Sequence, residues 1–122
     1  MKVAVLNFPG VIATSVSGPY DMLDKVRTIT ASINMSSKIY FDVDIVNSDT
    51  LTDTQQVYIA GNKTIKSKTV YDLIIIPAMN FDCIESTLRN EANMMEWIKY
   101  QYKNGSDVAS ICLGAFVFAT TG

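Results

Sequence analysis

Short apolar runs alternate along the chain with longer amphipathic segments. Residues 3–8 (VAVLNF) end at a Pro-Gly pair and predict a buried first strand. Residues 73–76 (LIII) are continuously apolar and end at Pro77, which is typical of a strand at the centre of a parallel sheet. Residues 108–111 (VASI) predict a further short, buried strand. These three runs indicate a sheet that is covered on both faces.

Two segments carry apolar residues at helical spacing. In the first, Ser15 or Ser17 is expected to cap a helix, and Pro19 is expected in its first turn. Its predicted apolar face comprises Tyr20, Leu23, Val26 and Ile29. The second predicted helix covers residues 88–102 and ends with Gly105 at its C′ position. Its predicted apolar face comprises Leu88, Ala92, Met95, Ile98 and Tyr102.

The middle of the chain predicts two further kinds of β structure. Residues 40–46 (YFDVDIV) alternate apolar and acidic positions, as in a strand with one face in water. Within residues 55–67, VYIA and TIKS flank a Gly-Asn turn, which predicts a β-hairpin. The predicted order is therefore β-α-β, a hairpin and β-α-β-α, an α/β class with a mainly parallel sheet and helices on both faces.

Composition narrows the possible functions. The chain has 122 residues, 48% of them apolar, and a net charge of −2, which favours one globular domain. The charge argues against direct contact with nucleic acid, and no apolar run is long enough for a membrane span. We expect a cytoplasmic protein, because the N-terminus lacks the pattern of a signal peptide. The sequence contains no His, so a Cys–His dyad within these residues is excluded and neither a metal nor a cofactor is expected.

Cys112 is the candidate for chemistry. It lies between Ser110 and Gly114, in a small-x-nucleophile-x-small pattern where a strand turns sharply into a helix. The N–H groups that begin such a helix can stabilise a thiolate or an oxyanion. The alternative is that Cys112 is only a small residue at the end of a strand.

Three segments resemble the ThiJ/PfpI family of the class I glutamine amidotransferase-like superfamily. They are VAVLNFPG…SGPYDML, YDLIIIPA and GSDVASICLGAFVFATTG. The branch most similar forms the N-terminal half of AraC-type transcription regulators, in which the motif around the cysteine commonly reads ASICTGAF, with Thr at the position of Leu113. The resemblance covers residues 1–122 as the N-terminal portion of one such domain, and it includes no DNA-binding domain.

The resemblance implies a flavodoxin-like three-layer sandwich, often a homodimer, with the reactive cysteine at Cys112. It implies that the backbone of Leu113 and the turn at Ala78 and Met79 line the site, with Met79 narrowing the pocket where a glycine-rich turn is usual. The family's enzymes carry an acid at the position of Ser15. A serine cannot act as a carboxylate general acid or base.

Three hypotheses follow. The first is a sensing and regulatory domain for an unidentified small molecule, with Cys112 in the ligand pocket and no catalysis. The second is a cysteine-dependent hydratase, amidase or aldehyde-detoxifying enzyme that uses Cys112 as its nucleophile and Ser15 to orient the thiol. The third is an inert module that acts by dimerisation. Residues 115–119 form an apolar helix that needs cover, which either a longer domain or another chain would supply. A homo-oligomer without membrane contact is expected.

Overall fold

A computed structural model describes residues 1–33, 40–54 and 57–122 and shows one parallel sheet. Within these residues its strands are β1 (Lys2–Asn7), β2 (Asp42–Asn47), β3 (Lys63–Thr64), β4 (Leu73–Ile76) and β5 (Asp107–Ser110). Their order across the sheet is β3-β2-β1-β4-β5, and every pairing is parallel. The predicted α/β class with helices on both faces is confirmed, and the fold is flavodoxin-like.

The helices divide unequally between the two faces. They are α1 (Ala13–Ser32), α2 (Ile84–Asn90), α3 (Ala92–Lys103) and α4 (Ala115–Thr120). Helix α1 packs against one face through Val16, Tyr20 and Leu23, and the other three helices cover the opposite face. Alternate residues of β1 enter the two clusters, so this strand is buried from both sides. That double burial explains the uninterrupted apolar runs of β1 and β4.

Helix α1 begins earlier than predicted. Ile12 occupies the N-cap position without a side-chain cap, so Ser15 and Ser17 are not caps, and Pro19 falls in the second turn. Both serine hydroxyls instead donate to carbonyls of the preceding turn, at 2.6 Å to Ile12 and 3.2 Å to Ala13. The predicted apolar face was also wrong at its C-terminal end, because Ile29 is 55% exposed.

The predicted helix 88–102 is two helices that meet at Glu91. The backbone of Glu91 has φ −105° and ψ 34°, and its side chain turns inward against the segment that follows β2. Tyr102 is 66% exposed and Ala92 is exposed, so the predicted apolar face was wrong there; Met94 and Trp97 join the core instead. The end of α3 is as predicted. Gly105 has φ +99°, and the N–H groups that follow α3 close onto carbonyls of its last turn.

The predicted hairpin is wrong. Residues 57–60 form no strand, and β3 runs parallel to β2 instead of folding back on a neighbouring strand; residues 55–56 lie outside the described residues. The physical reason is Asn62. Its N–H donates to the carbonyl of Ile45 at 3.1 Å, and its Oδ1 accepts from the Ile45 N–H at 2.8 Å. Its Nδ2 also donates to Asp44 at 2.6 Å, so Asn62 anchors the chain to the edge of β2.

Two other strand predictions need correction. The acidic face of β2 is not simply solvated, because Asp44 is half-buried and accepts hydrogen bonds from Asn62 and from the hydroxyl of Tyr71. Strand β5 was predicted to be buried, but it lies at the end of the sheet and its residues are exposed or half-buried. Helix α4 is covered only on the side of Val117, and Phe116 and Phe118 remain 48% and 44% exposed.

Tyr71 makes the stability of the fold sensitive to alkaline pH. Its ring is buried against Trp97, and its hydroxyl donates to Asp44 at 2.8 Å. Burial, and then Asp44, raises the pKa of Tyr71 well above its ordinary value. The neutral, buried Tyr71 contributes fully to stability below about pH 10, the ordinary pKa of tyrosine. This contribution is lost as pH rises further, because the tyrosine of the unfolded chain ionises more readily than that of the folded protein. We expect urea midpoints to fall more steeply above about pH 10 in the wild type than in Tyr71→Phe. Equal slopes would contradict this assignment.

None of the helices in residues 1–33, 40–54 and 57–122 combines the length and hydropathy needed to cross a bilayer.

Candidate functional site

Three turns come together beyond the carboxyl ends of β1, β4 and β5. The turn after β1 and the turn after β4 form an antiparallel bridge between Val11 and Met79. The N–H of Ile12 donates to the carbonyl of Ala78, and the N–H of Asn80 donates to that of Gly10, both at 2.9 Å. Because β4 lies between β1 and β5, the turn that contains Cys112 adjoins this pair. Such crevices beyond the carboxyl ends of parallel strands are the usual ligand sites of α/β folds.

The backbone at Cys112 confirms the predicted sharp turn. Cys112 has φ 49°, and it is the one non-glycine residue with positive φ in the described part of the chain. The chain stays bonded to β4 as far as Ile111, whose N–H donates to the carbonyl of Ile76 at 2.9 Å. A non-glycine residue in this region is strained and is often functional. The thiol is exposed, so a small molecule can reach it.

Gly114 shows why a small residue is needed two positions after Cys112. A Cβ at this position would lie 2.8 Å from the carbonyl oxygen of Ile76 and closer still to that of Pro77. Both are backbone atoms at the end of β4, so a side chain here would push the turn away from the sheet. The close contact therefore fixes Cys112 next to the turn at Ala78.

The two residues predicted at the β4 turn play different parts. The carbonyl of Ala78 accepts a hydrogen bond from the N–H of Ile12 in the turn after β1, and the backbone of Ala78 lies beside the site. The side chain of Met79 is fully buried in the core with Leu6 and Phe8, so it does not extend into the crevice to narrow it. Leu113 is half-buried and packs on the edge of the same core.

Ser15 is bound to the backbone. Its hydroxyl donates to the carbonyl of Ile12 at 2.6 Å, with the carbonyl of Ala78 at 3.3 Å. A hydroxyl has a single hydrogen, so the shorter contact accounts for it. Ser15 therefore closes the first turn of α1, and its oxygen lies beside the carbonyl of Ala78 without a hydrogen left to bond it.

Gly10 and Asn80 also belong to this site, although the sequence patterns did not predict either residue there. Gly10 has φ +92°, and a Cβ there would lie 2.8 Å from the Cβ of Cys83, so this tight contact requires glycine. Asn80 donates to the carbonyl of Gly10 through both its backbone N–H and its side-chain amide. The Pro9-Gly10 pair was the signal that could have revealed the first of these residues.

The second cysteine is less suited to reaction. Burial, together with the carboxylate of Asp82, raises the pKa of the Cys83 thiol. In residues 1–33, 40–54 and 57–122, no three His, Cys, Asp or Glu side chains cluster in a way that could hold a metal ion.

A comparison with protein families finds a match over the whole length of the chain. The model of the DJ-1/PfpI family covers residues 1–122. The chain belongs to the DJ-1/PfpI family. No curated protein matches the chain.

Solved structures share the fold. The oxidised DJ-1 of Toxoplasma gondii matches 99% of this chain with 22% identity and a TM-score of 0.67. A two-domain protein of Anabaena variabilis with DJ-1/ThiJ/PfpI-like and ferritin-like domains matches 97% of the chain with 17% identity and a TM-score of 0.59. The chain spans 61% of the first of these proteins and 32% of the second. In this DJ-1/PfpI chain, Cys112 thus occupies a strand-to-helix turn of the family fold.

Proposed function

We propose that this DJ-1/PfpI chain is the ligand-binding part of a sensing and regulatory domain, similar to the N-terminal half of an AraC-type regulator. In this proposal Cys112 is part of the pocket for a small molecule and does not act as a nucleophile. The sequence around Cys112 supports this branch of the family because it is close to ASICTGAF. Homo-oligomerisation and a cytoplasmic location belong to the same proposal.

The observation that carries the proposal is the position of the Ser15 hydroxyl. This residue stands where the family's enzymes carry an acid, yet its hydrogen is directed to the carbonyl of Ile12 at 2.6 Å. The hydroxyl therefore stabilises the turn and has no hydrogen left to donate to the thiolate, and a serine cannot act as a general base. Because the sequence also contains no His, these residues supply no imidazole base for Cys112.

Thiol alkylation tests this function. We expect iodoacetamide to modify Cys112 of the folded protein no faster than it modifies the same residue after unfolding in urea, since no partner activates the thiol. Mass spectrometry separates Cys112 from Cys83, and a Cys112→Ala variant gives the background rate. Alkylation of the folded protein about tenfold faster than of the unfolded protein would contradict the proposal.

The strained backbone favours a second candidate, a cysteine-dependent enzyme. Positive φ and an exposed thiol at Cys112 are the geometry of a nucleophile at a sharp turn. This candidate predicts that the protein consumes a small aldehyde, an amide or a hydratase substrate, and that Cys112→Ala abolishes the reaction. Absence of consumption by the wild type, together with slow alkylation, favours the sensing domain.

Ser15→Ala separates the two candidates in another way. In the sensing proposal the hydroxyl is structural, so its loss is expected to lower the free energy of unfolding by about 1 kcal/mol. The rate of Cys112 alkylation is expected to change less than about twofold, because Ser15 does not act on the thiol. A large fall in this rate with unchanged stability would show that Ser15 orients Cys112. Ser17→Ala is the matched control, since Ser17 makes a similar bond within α1 without touching the β4 turn.

A further inference from the structure

A buried carboxyl group lies at the break between α2 and α3, away from Cys112. Glu91 is only 2% exposed. Its Oε1 accepts a hydrogen bond from the hydroxyl of Thr50, and the hydroxyl of Ser48 lies 3.5 Å away. Its Oε2 is buried without a hydrogen-bond partner among the described residues. A carboxylate with one oxygen in this state is costly, because burial removes its hydration without replacing it.

The charges around Glu91 favour its neutral form. Burial is the main cause that raises the pKa of Glu91; the two hydroxyls oppose it and the carboxylate of Asp49 reinforces it. Asp49 itself accepts a hydrogen bond from Asn93 of α3 at 2.7 Å. The nearest cation in the sequence, Arg89 of α2, is directed to Glu85 at 2.5 Å. The N-terminus of α3 attracts negative charge, but it gives Glu91 no side-chain cap bond.

Glu91 is also the buried attachment of the segment that follows β2, residues 48–54. Two backbone hydrogen bonds hold this segment. The N–H of Ser48 donates to the carbonyl of Asn7 at 2.9 Å, and the N–H of Leu51 makes a long bond of 3.5 Å to the carbonyl of Ser48. Five of its residues are exposed, and among the described residues its other hydrogen bond to α3 is the exposed Asp49–Asn93 pair. Loss of the Glu91 contact would therefore leave the segment with few restraints.

We propose that Glu91 is a pH-dependent latch, which holds residues 48–54 against the start of α3 when its carboxyl is neutral and releases them when it is ionised. In the released state the carboxylate reaches water and is hydrated. Release of the segment bares the α2–α3 junction while the sheet remains folded.

The direction of the pH effect follows from linkage. In the released state Glu91 ionises near the ordinary glutamate pKa of about 4.3, whereas in the closed state its pKa is higher. Closing is therefore most favourable below about pH 4 and weakens as pH rises through the closed-state pKa. For each unit by which the closed-state pKa exceeds the released-state pKa, full ionisation increases the ratio of released to closed protein by about tenfold.

Two NMR measurements test the latch on the whole chain. The first is the titration of the Glu91 carboxyl carbon, which we expect above the ordinary range of glutamate. Thr50→Val should raise this pKa further because it removes a donor, and Asp49→Asn should lower it because it removes a like charge. The second is amide hydrogen exchange at Ser48 and Leu51, corrected for intrinsic base catalysis. Their protection should fall as pH rises above about 4 in the wild type.

Matched variants separate the latch from a general effect of pH. Glu91→Gln keeps an oxygen acceptor for Thr50 but cannot ionise, so protection at Ser48 and Leu51 should no longer depend on pH. Glu96→Gln makes the same change at an exposed position of α3 and should keep the wild-type dependence. A Glu91 carboxyl that titrates at or below about 4.3 would overturn the proposal. So would equal pH dependence in Glu91→Gln and the wild type. If Glu91→Gln does not fold, the wild-type titration alone decides.

Discussion

Gly114→Ala is expected to destabilise the protein by about 3 kcal/mol or more, and it should displace the turn at Cys112. The added Cβ would lie within 2.8 Å of the Ile76 carbonyl oxygen, and the Pro77 carbonyl oxygen is closer still. Neither atom can move easily, because β4 is paired on both sides, with β1 and with β5. Urea unfolding followed by circular dichroism measures the loss, and alkylation of Cys112 reports the displaced turn.

Gly18→Ala is the matched control for this change. Gly18 lies inside α1 and has no atom within 4 Å of an added Cβ. We expect a change of less than about 1 kcal/mol, because the gain in helix propensity is offset by crowding before Pro19. Equal losses in the two variants would show that the contact with β4 is not what requires glycine at position 114.

Gln101→Met is expected to cost about 2–4 kcal/mol, although the two side chains have similar volumes. Gln101 is fully buried. Its Oε1 accepts from the N–H of Tyr71 at 3.0 Å, and its Nε2 donates to the carbonyl of Thr69 at 2.8 Å. Methionine would leave the Tyr71 N–H and the Thr69 carbonyl without these partners. Chemical denaturation measures the cost.

Lys103→Met makes the same replacement at an exposed position two residues later on α3. We expect a change within about 0.5 kcal/mol, because no buried polar group loses a partner. If Gln101→Met were equally mild, the network around Gln101 would contribute little to stability.

The sequence predicted most accurately those elements that are set by burial on both faces. The LIII run of β4 and the turn at Cys112 were found because their patterns are local, an apolar run in one case and a small-x-Cys-x-small spacing in the other. Gly105 was placed correctly for the same reason, since a glycine after a helix is a local signal.

The errors come from residues whose partners are distant in the sequence. Asn62 suggested a hairpin turn, but its side chain bonds to Ile45, 17 residues earlier. Glu91 reads as an ordinary helix residue, and only its contact with Thr50, 41 residues away, explains the break between α2 and α3. Gln101 resembles a surface residue until its contact with Thr69 is known. Long-range hydrogen bonds of this kind leave no periodic pattern.

The site itself was only partly predictable. Cys112 and the turn at Ala78 follow from the strand ends on which they lie. The backbone contact of Ser15 depends on where α1 begins, which the sequence placed too late in the chain. The burial of Met79 depends on its bridge to Val11, which brings its side chain into the core.

The position of Asn62 also bears on how the folded protein resists aggregation. Exposed strand edges can recruit strands from other molecules, and proteins protect them with short edge strands and with side chains that occupy the free backbone groups. On one side of this sheet β3 is only two residues long, and Asn62 occupies both backbone groups of Ile45. Intermolecular pairing is therefore disfavoured at this edge.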